Sequence, residues 1–177
     1  MKRLVFIGFV LISTFSFAQK YGIEKAKVMF FSKTPVEDID ATNPLVNSLF
    51  NSTTGDIVFS MMMKDFEFKK SLMKEHFNEK YLETDKYPKS TFQGKLTGYS
   101  SEKAGKQDVR AVGKLTIHGV TRDVDVPGTI EFKDGKMVAV SKFQVALKEY
   151  DIKIPQLLWK KIAEVIDVNL DFNYKSL

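Results

Sequence analysis

His76 and His118 are the only two histidines in the chain, and there is no cysteine at all. A metal centre would need at least one more strong ligand beside either imidazole, and no His-Glu-x-x-His arrangement is present. His76 sits in Glu75-His76-Phe77-Asn78-Glu79 and reads as a residue that caps or hydrogen-bonds a loop. His118, just before Gly119 at a strand end, reads as a surface or turn residue. A hydrolytic triad needs a scaffold such as the Gly-x-Ser-x-Gly elbow, which is absent, and without cysteine there is no thiol nucleophile. Asp167 and Asp171 fall on the polar side of an alternating segment, where solvation is the natural explanation. A glycosidase-type carboxylate pair stays open as the alternative, because separation in space is not legible in a sequence. No Gly-rich phosphate loop has the required spacing. The residues point away from an enzyme, with no catalytic and no metal-ligating set.

Apolar, polarisable side chains are the better lead. Met61-Met62-Met63 is followed closely by Phe66 and Phe68, and the chain holds 15 Phe against one Trp. Methionine and phenylalanine together make adaptable apolar surface. Plain core packing would explain any one of these residues; a closed barrel of about eight strands either fills its interior or keeps room for one small ligand, and composition does not decide between the two.

The elements that carry them are mostly strands. Tyr21 to Phe31 reads as a strand, and Ser32 to Phe50 as a connection with a short helical turn around Leu45 to Phe50. After the turn at Thr53-Thr54-Gly55-Asp56, Ile57, Phe59, Met61 and Met63 share one side of the next strand. The spacing of Phe66 to Tyr87 predicts a loop and a helix over Leu72 to Leu82. From Thr91 onward the pattern alternates strictly. Strands are predicted over 91–99, 108–118, 121–132, 137–147 and 166–174, with a hairpin signal at Asp134-Gly135. A further helix is expected from Ile154 to Glu164, with Pro155 in its first turn. Gly-Lys-Leu-Thr occurs at Gly94 to Thr97 and again at Gly113 to Thr116, which suggests two neighbouring strands needing the same bend. One apolar and one polar face, strand after strand, is the pattern of an antiparallel sheet closed into a barrel or folded into a sandwich.

The chain is 177 residues long, 44% hydrophobic and 28% charged, which suits one domain with a sizeable core. Residues 1–18 read as a secretory signal peptide: Lys2 and Arg3, an apolar run from Leu4 to Ile12, and a cleavage site after Ala18. That run is too short to span a bilayer, which takes roughly 20 apolar residues. Residues 19–177 then form a single exported domain, expected in the periplasm and not membrane-spanning. Without Lys2 and Arg3 the formal net charge drops by two from +5 to +3. The basic residues are scattered among acids, which argues against nucleic acid as a partner. A homodimer is compatible with the sequence.

Several motifs resemble one family. Phe77-Asn78, Tyr87-Pro88-Lys89-Ser90-Thr91-Phe92 and Val112-Gly113-Lys114-Leu115-Thr116-Ile117-His118-Gly119-Val120-Thr121 are similar to the Tyr-Pro-x-x-x-Phe and Gly-x-Leu-Thr-x-x-Gly-Val-Thr elements of the YceI family. Phe143 to Ile154, with Tyr150-Asp151-Ile152, resembles its later strand and turn, so the likeness runs from about Ile57 to Tyr174. Two departures stand out. The strand near Tyr21 lacks an Asp-x-x-His-Ser opening, and Asp151 stands where Gly is common. The resemblance implies an all-β, extended antiparallel lipocalin-like barrel of about eight strands with one or two short helices. It also implies an exported, non-enzymatic protein whose interior binds a hydrophobic small molecule or lipid: an isoprenoid, quinone-like or fatty-acyl chain, carried or stored. No cofactor is otherwise implied. The family binds through an apolar lining and not a fixed polar motif, so candidate lining residues are chosen by position: Phe59, Met61, Met63, Leu115, Ile117, Phe143 and Trp159. The competing reading is a ligand-free barrel that serves as a scaffold for protein–protein contacts in the cell envelope.

Overall fold

The computed structural model of the chain describes residues 20–35, 37–100, 102–103, 105–154 and 162–177. Eight antiparallel strands close into a barrel. They are β1 (Lys20–Ser32), β3 (Val46–Asn51), β4 (Asp56–Met62), β6 (Lys89–Thr97), β7 (Gly105–Ile117), β8 (Val120–Lys133), β9 (Lys136–Ala146) and β10 (Val165–Ser176). Each pairs with the next in that order, and β10 returns to β1 from Tyr21↔Ser176 to Phe31↔Asp167. Of the barrel and the sandwich that the alternating pattern allows, the barrel, which the family resemblance implies, is the observed architecture.

Alternation is what builds the wall. On β10, Phe172 and Tyr174 are buried while Asp167 and Asp171 face water. A strand with that pattern has only one orientation that keeps its aromatic rings dry and its carboxylates wet. Two tight hairpins then fix neighbouring registers. His118-Gly119 joins Ile117↔Val120, and Asp134-Gly135 joins Lys133↔Lys136, with all four turn residues at φ between 52° and 75°. Left-handed values at both central positions match the twist of the flanking strands, and glycine takes them without strain.

The repeated Gly-Lys-Leu-Thr segments lie side by side, with Gly94 opposite Gly113. A Cβ at Gly94 would stand 2.3 Å from the Val112 carbonyl oxygen, and one at Gly113 would stand 2.3 Å from that of Gln93. No side chain fits either position, so the two strands coil together through their backbones. The Phe92 ring also reaches over Gly94: its Cζ would lie 2.7 Å from a Cβ there.

The stretch from Ser32 to Phe50 departs from the sequence expectation. Its described residues hold no helical turn; after the link at 33–38 they form β2 (Ile39–Asn43) and β3, separated by Pro44-Leu45. Leu45, Val46, Leu49 and Phe50 fit a helical stripe, but β3 pairs with β4 from Val46↔Met61 to Phe50↔Ile57. Pairing selects period two, which buries Val46, Ser48 and Phe50 and leaves Leu45 and Leu49 outside. β1 thus serves two short partners, β3 at its start and β2 at its end. Buried Asn43 holds the joint: its Nδ2 donates to Met62 O (2.9 Å) and its Oδ1 accepts from Leu45 N–H (2.9 Å).

Between β4 and β6 the chain leaves the wall. It forms a single turn at Met63–Asp65, then β5 (Glu67–Phe68), which pairs with β2, then α1 (Ser71–His76), which continues as a wider π-type turn over Phe77–Tyr81. The helix expected over Leu72 to Leu82 is therefore present, in two parts. The helix expected from Ile154 to Glu164 has its middle, 155–161, outside the described residues.

Candidate functional site

Three cavities lie end to end inside the barrel and its cap. The deepest, about 70 Å³, is walled by Ile57, Leu96, Val109, Ile130 and Phe172 among others. The middle one, about 80 Å³, is walled by Val28, Met63, Phe66, Val145 and Val168 among others. These two share Phe59, Leu115, Phe143 and Leu170, so they meet across those four residues. The outermost, about 360 Å³, lies under α1 and shares Phe30, Phe77, Leu82, Leu147, Ile152 and Ile166 with the middle one. Together they make a narrow bore that widens into a mouth.

The walls of the two deep cavities are almost entirely carbon. Ser90 lines the middle one, but its hydroxyl donates to Thr116 O at 2.9 Å and so is already satisfied. The mouth is different. Glu37, Lys70, His76 and Ser32 stand among its apolar residues, and the Lys70 ammonium forms an ion pair with Glu37. The Ala163 N–H donates to Ser32 Oγ (2.9 Å), which fastens the approach to β10 to the end of β1.

The opposite end is sealed. Tyr21, Phe50, Tyr99 and Phe132 pack ring against ring at centroid distances of 5.5 to 6.4 Å. Beside them Tyr174 is fully buried, and its hydroxyl lies 2.7 Å from Ser48 Oγ, which also meets Val58 O at 2.6 Å. Burial pushes the Tyr174 phenol well above the usual tyrosine range, so it stays a neutral hydrogen-bonding group.

Of the seven residues chosen from sequence, the structure brings six together. Met63 and Ile117 line the middle cavity, as does Met61, and Phe59, Leu115 and Phe143 line the junction of the two deep cavities. Trp159 lies outside the described residues. The choice missed Val168 and Leu170, although both alternate with Asp167 and Asp171 along the last strand and so fall on its apolar side. It also missed Phe30 and Phe77, whose rings stack at 5.6 Å and 13° where the bore meets the mouth. Nothing in local spacing shows that Phe30 on β1 and Phe77, which lies beyond β2, β3, β4, β5 and α1, will meet there.

His118 is a turn residue, as read, but not a surface one: it is 8% exposed. Its Nδ1 lies 3.0 Å from the Tyr150 carbonyl and its Nε2 3.0 Å from Glu83 Oε2, and the Tyr87 ring meets its edge at 4.4 Å. One side chain thus joins three turns at the mouth end: the hairpin after β7, the loop after the π-type turn, and the turn Leu147–Tyr150. Asp151, which follows that turn, has φ 54°, a left-handed value that aspartate tolerates and glycine adopts freely.

Among the described residues no three His, Asp or Glu side chains are grouped to hold a metal ion, and no helix is long and apolar enough to cross a membrane. What the arrangement can do chemically is remove hydrocarbon from water.

The family model for the YceI-like domain matches residues 13–174. Among solved structures, a polyisoprenoid binding domain from Saccharophagus degradans implicated in plant cell wall breakdown is similar, with a TM-score of 0.78 at 13% identity, covering 89% of this chain and 98% of that one. BcnA of Burkholderia cenocepacia is similar with a TM-score of 0.70 at 17% identity, covering 84% of this chain and 95% of that one. The YceI protein of Campylobacter jejuni is similar with a TM-score of 0.50 at 16% identity, covering 100% of this chain and 99% of that one. No curated protein sequence matches the chain.

Proposed function

The chain belongs to the YceI-like domain family, and on that premise we propose that it binds one hydrocarbon-tailed lipid, isoprenoid or fatty-acyl, inside the barrel and carries or stores it outside the cytoplasm. The observation that carries this reading is the run of three apolar cavities ending in a mouth with charged and hydroxyl groups. Each methylene moved from water into such a bore gains about 0.8 kcal/mol, so a long tail needs no special chemistry to be held. The tail lies along Phe59, Leu115 and Phe143, with Met61, Met63 and Ile117 lining its path toward the mouth. Any polar head stays in the mouth beside Ser32, His76 and the Lys70–Glu37 pair. The similarity to a polyisoprenoid binding domain supports an isoprenoid tail as the first chemistry to test.

The protein performs no reaction on this reading. The bore offers carbon surface, and the one hydroxyl named in its middle cavity is engaged with the backbone. Residues 1–18 serve as a leader, so the secreted mature chain begins at Gln19, and N-terminal sequencing of periplasmic protein checks that point.

Native mass spectrometry of the purified full-length product, followed by solvent extraction, tests the binding claim. The expected result is an added mass that extraction recovers as a prenyl or acyl lipid. Protein that carries nothing and takes up neither a polyprenol nor a long-chain fatty acid would sink it.

A further inference from the structure

β8 and β9 are paired only from Gly128↔Ser141 to Lys133↔Lys136. Toward the mouth from that fork, among the described residues, β8 runs on as Val120–Pro127 paired with β7 alone, and β9 as Lys142–Ala146 paired with β10 alone. The closed wall therefore has a slit. Its inner corner is pinned by Ser141 Oγ, which donates to Pro127 O at 2.6 Å. Its outer corner is pinned by Arg122 Nε, which donates to Glu149 O at 2.8 Å. Pro127 has no N–H to offer β9, and its position at the fork gives the ladder a chemical reason to stop there.

The deepest cavity reaches this slit. Its lining includes the inward-facing Val124, Val126 and Phe143, but also Pro127, Thr129 and Val140, which belong to the outward-facing set on the same strands. Val140 is 39% exposed. A hollow confined to the lumen would be walled by the inward set alone. The far end of the barrel is shut by the Tyr21, Phe50, Tyr99 and Phe132 rings, so a chain threaded from the mouth has no axial exit.

We infer that the slit between β8 and β9 is a second, lateral portal, through which the tail of a bound chain too long for the bore leaves the barrel. This rests on the reading of the cavities as a lipid site and sets its length rule: the mouth fixes one end, and the tail has no fixed upper length. From Ile166 at the mouth to Phe172 in the deepest cavity is six strand residues, about 20 Å at the rise of a β-strand. Chains shorter than that end inside; longer ones emerge beside Val140. The free edge of β8 is a poor template for an added peptide strand. Pro127 cannot donate, and the outward-facing Asp123 and Asp125 put charge on that stretch of β8, paired across to Lys114 (2.8 Å) and Arg110 (2.6 Å) of β7.

Because the chain has no cysteine, single thiols report cleanly on the slit. Val140→Cys places one at its rim. Val138→Cys places one two residues away on the same outer face, 38% exposed in the parent chain and away from the cavity lining. Each variant is loaded with farnesol, too short to reach Phe172 from the mouth, or with solanesol, long enough to overshoot it. Native mass spectrometry verifies loading before the rate of maleimide labelling is measured. Solanesol is expected to slow labelling of Val140→Cys severalfold while Val138→Cys labels at its unloaded rate, and farnesol is expected to slow neither. If solanesol loads and Val140→Cys still labels as fast as the unloaded protein, the lateral portal is wrong and the lipid site stands. If neither alcohol loads, the lipid site itself fails, and the portal with it.

Discussion

The barrel is stoppered by aromatic rings at both ends, but the two stoppers are built differently. At the sealed end Tyr21, Phe50 and Phe132 stand on β1, β3 and β8, each strand held by ladder hydrogen bonds, and Phe50 is 1% exposed. At the mouth end Phe30 stands on β1, while Phe66, Phe68 and Phe77 come from the excursion between β4 and β6. Met63 N–H to Pro88 O (2.8 Å) joins the two ends of that excursion at its base, and the two-residue pairing of β5 with β2 is the ladder that ties its body to the wall. Rings on a ladder move only if the sheet moves; rings on a short helix and turn move with local opening, which costs much less than global unfolding. The same residue type therefore makes a wall in one place and a door in the other.

Four substitutions test this contrast, in falling order of effect. Phe50→Ala should cost about 3–5 kcal/mol, the usual range for a fully buried ring, read from the denaturant midpoint. Phe77→Ala should cost about 2 kcal/mol, since the half-buried ring returns less apolar area to water, and it should speed exchange of a loaded prenol. If Phe77→Ala costs as much as Phe50→Ala, the cap is as integral as the plug and the contrast collapses. Tyr174→Phe should cost about 1 kcal/mol, because Ser48 keeps Val58 O as its partner when the phenol is lost. A larger loss would mean that the sealed end depends on its polar clasp more than on its rings. Lys70→Ala should change stability by less than about 0.5 kcal/mol, because both partners of its ion pair are exposed. On the proposed function its effect falls on a head group in the mouth, and lipid exchange is the measurement to make on it.

The strands were legible because they carry one message at every level, while their closure into a barrel was read from the family resemblance. In Ile166, Val168, Leu170, Phe172 and Tyr174 the alternation, the β-propensity and the intervening Asp and Asn all agree. β3 was misread because Leu45, Val46, Leu49 and Phe50 satisfy two periods at once, and only the partner strand decides between them. Six of the residues picked for the interior sit together because face parity is a local property. Their meeting with Phe30 and Phe77 was not legible, since it depends on how an insert folds back over the barrel. His118 shows the same limit: its burial depends on Glu83 and Tyr150, which reach it from distant turns. The slit had one signal in plain view, a proline inside an otherwise regular strand, whose meaning needed the register of β9.

The pinch at Gly94 and Gly113 bears on the caliber of the passage as well as on its curvature. With no side chain at position 94, the Phe92 ring can lie back along the wall beside Phe59, its neighbour at 5.7 Å, at the depth where the two inner cavities begin. A methyl group there would press on that ring and on the Val112 carbonyl together. The ring's way out is across the lumen, as a shutter. A hydrogen in place of a side chain at position 94 thus works as a throttle stop, setting the width of the bore at that depth.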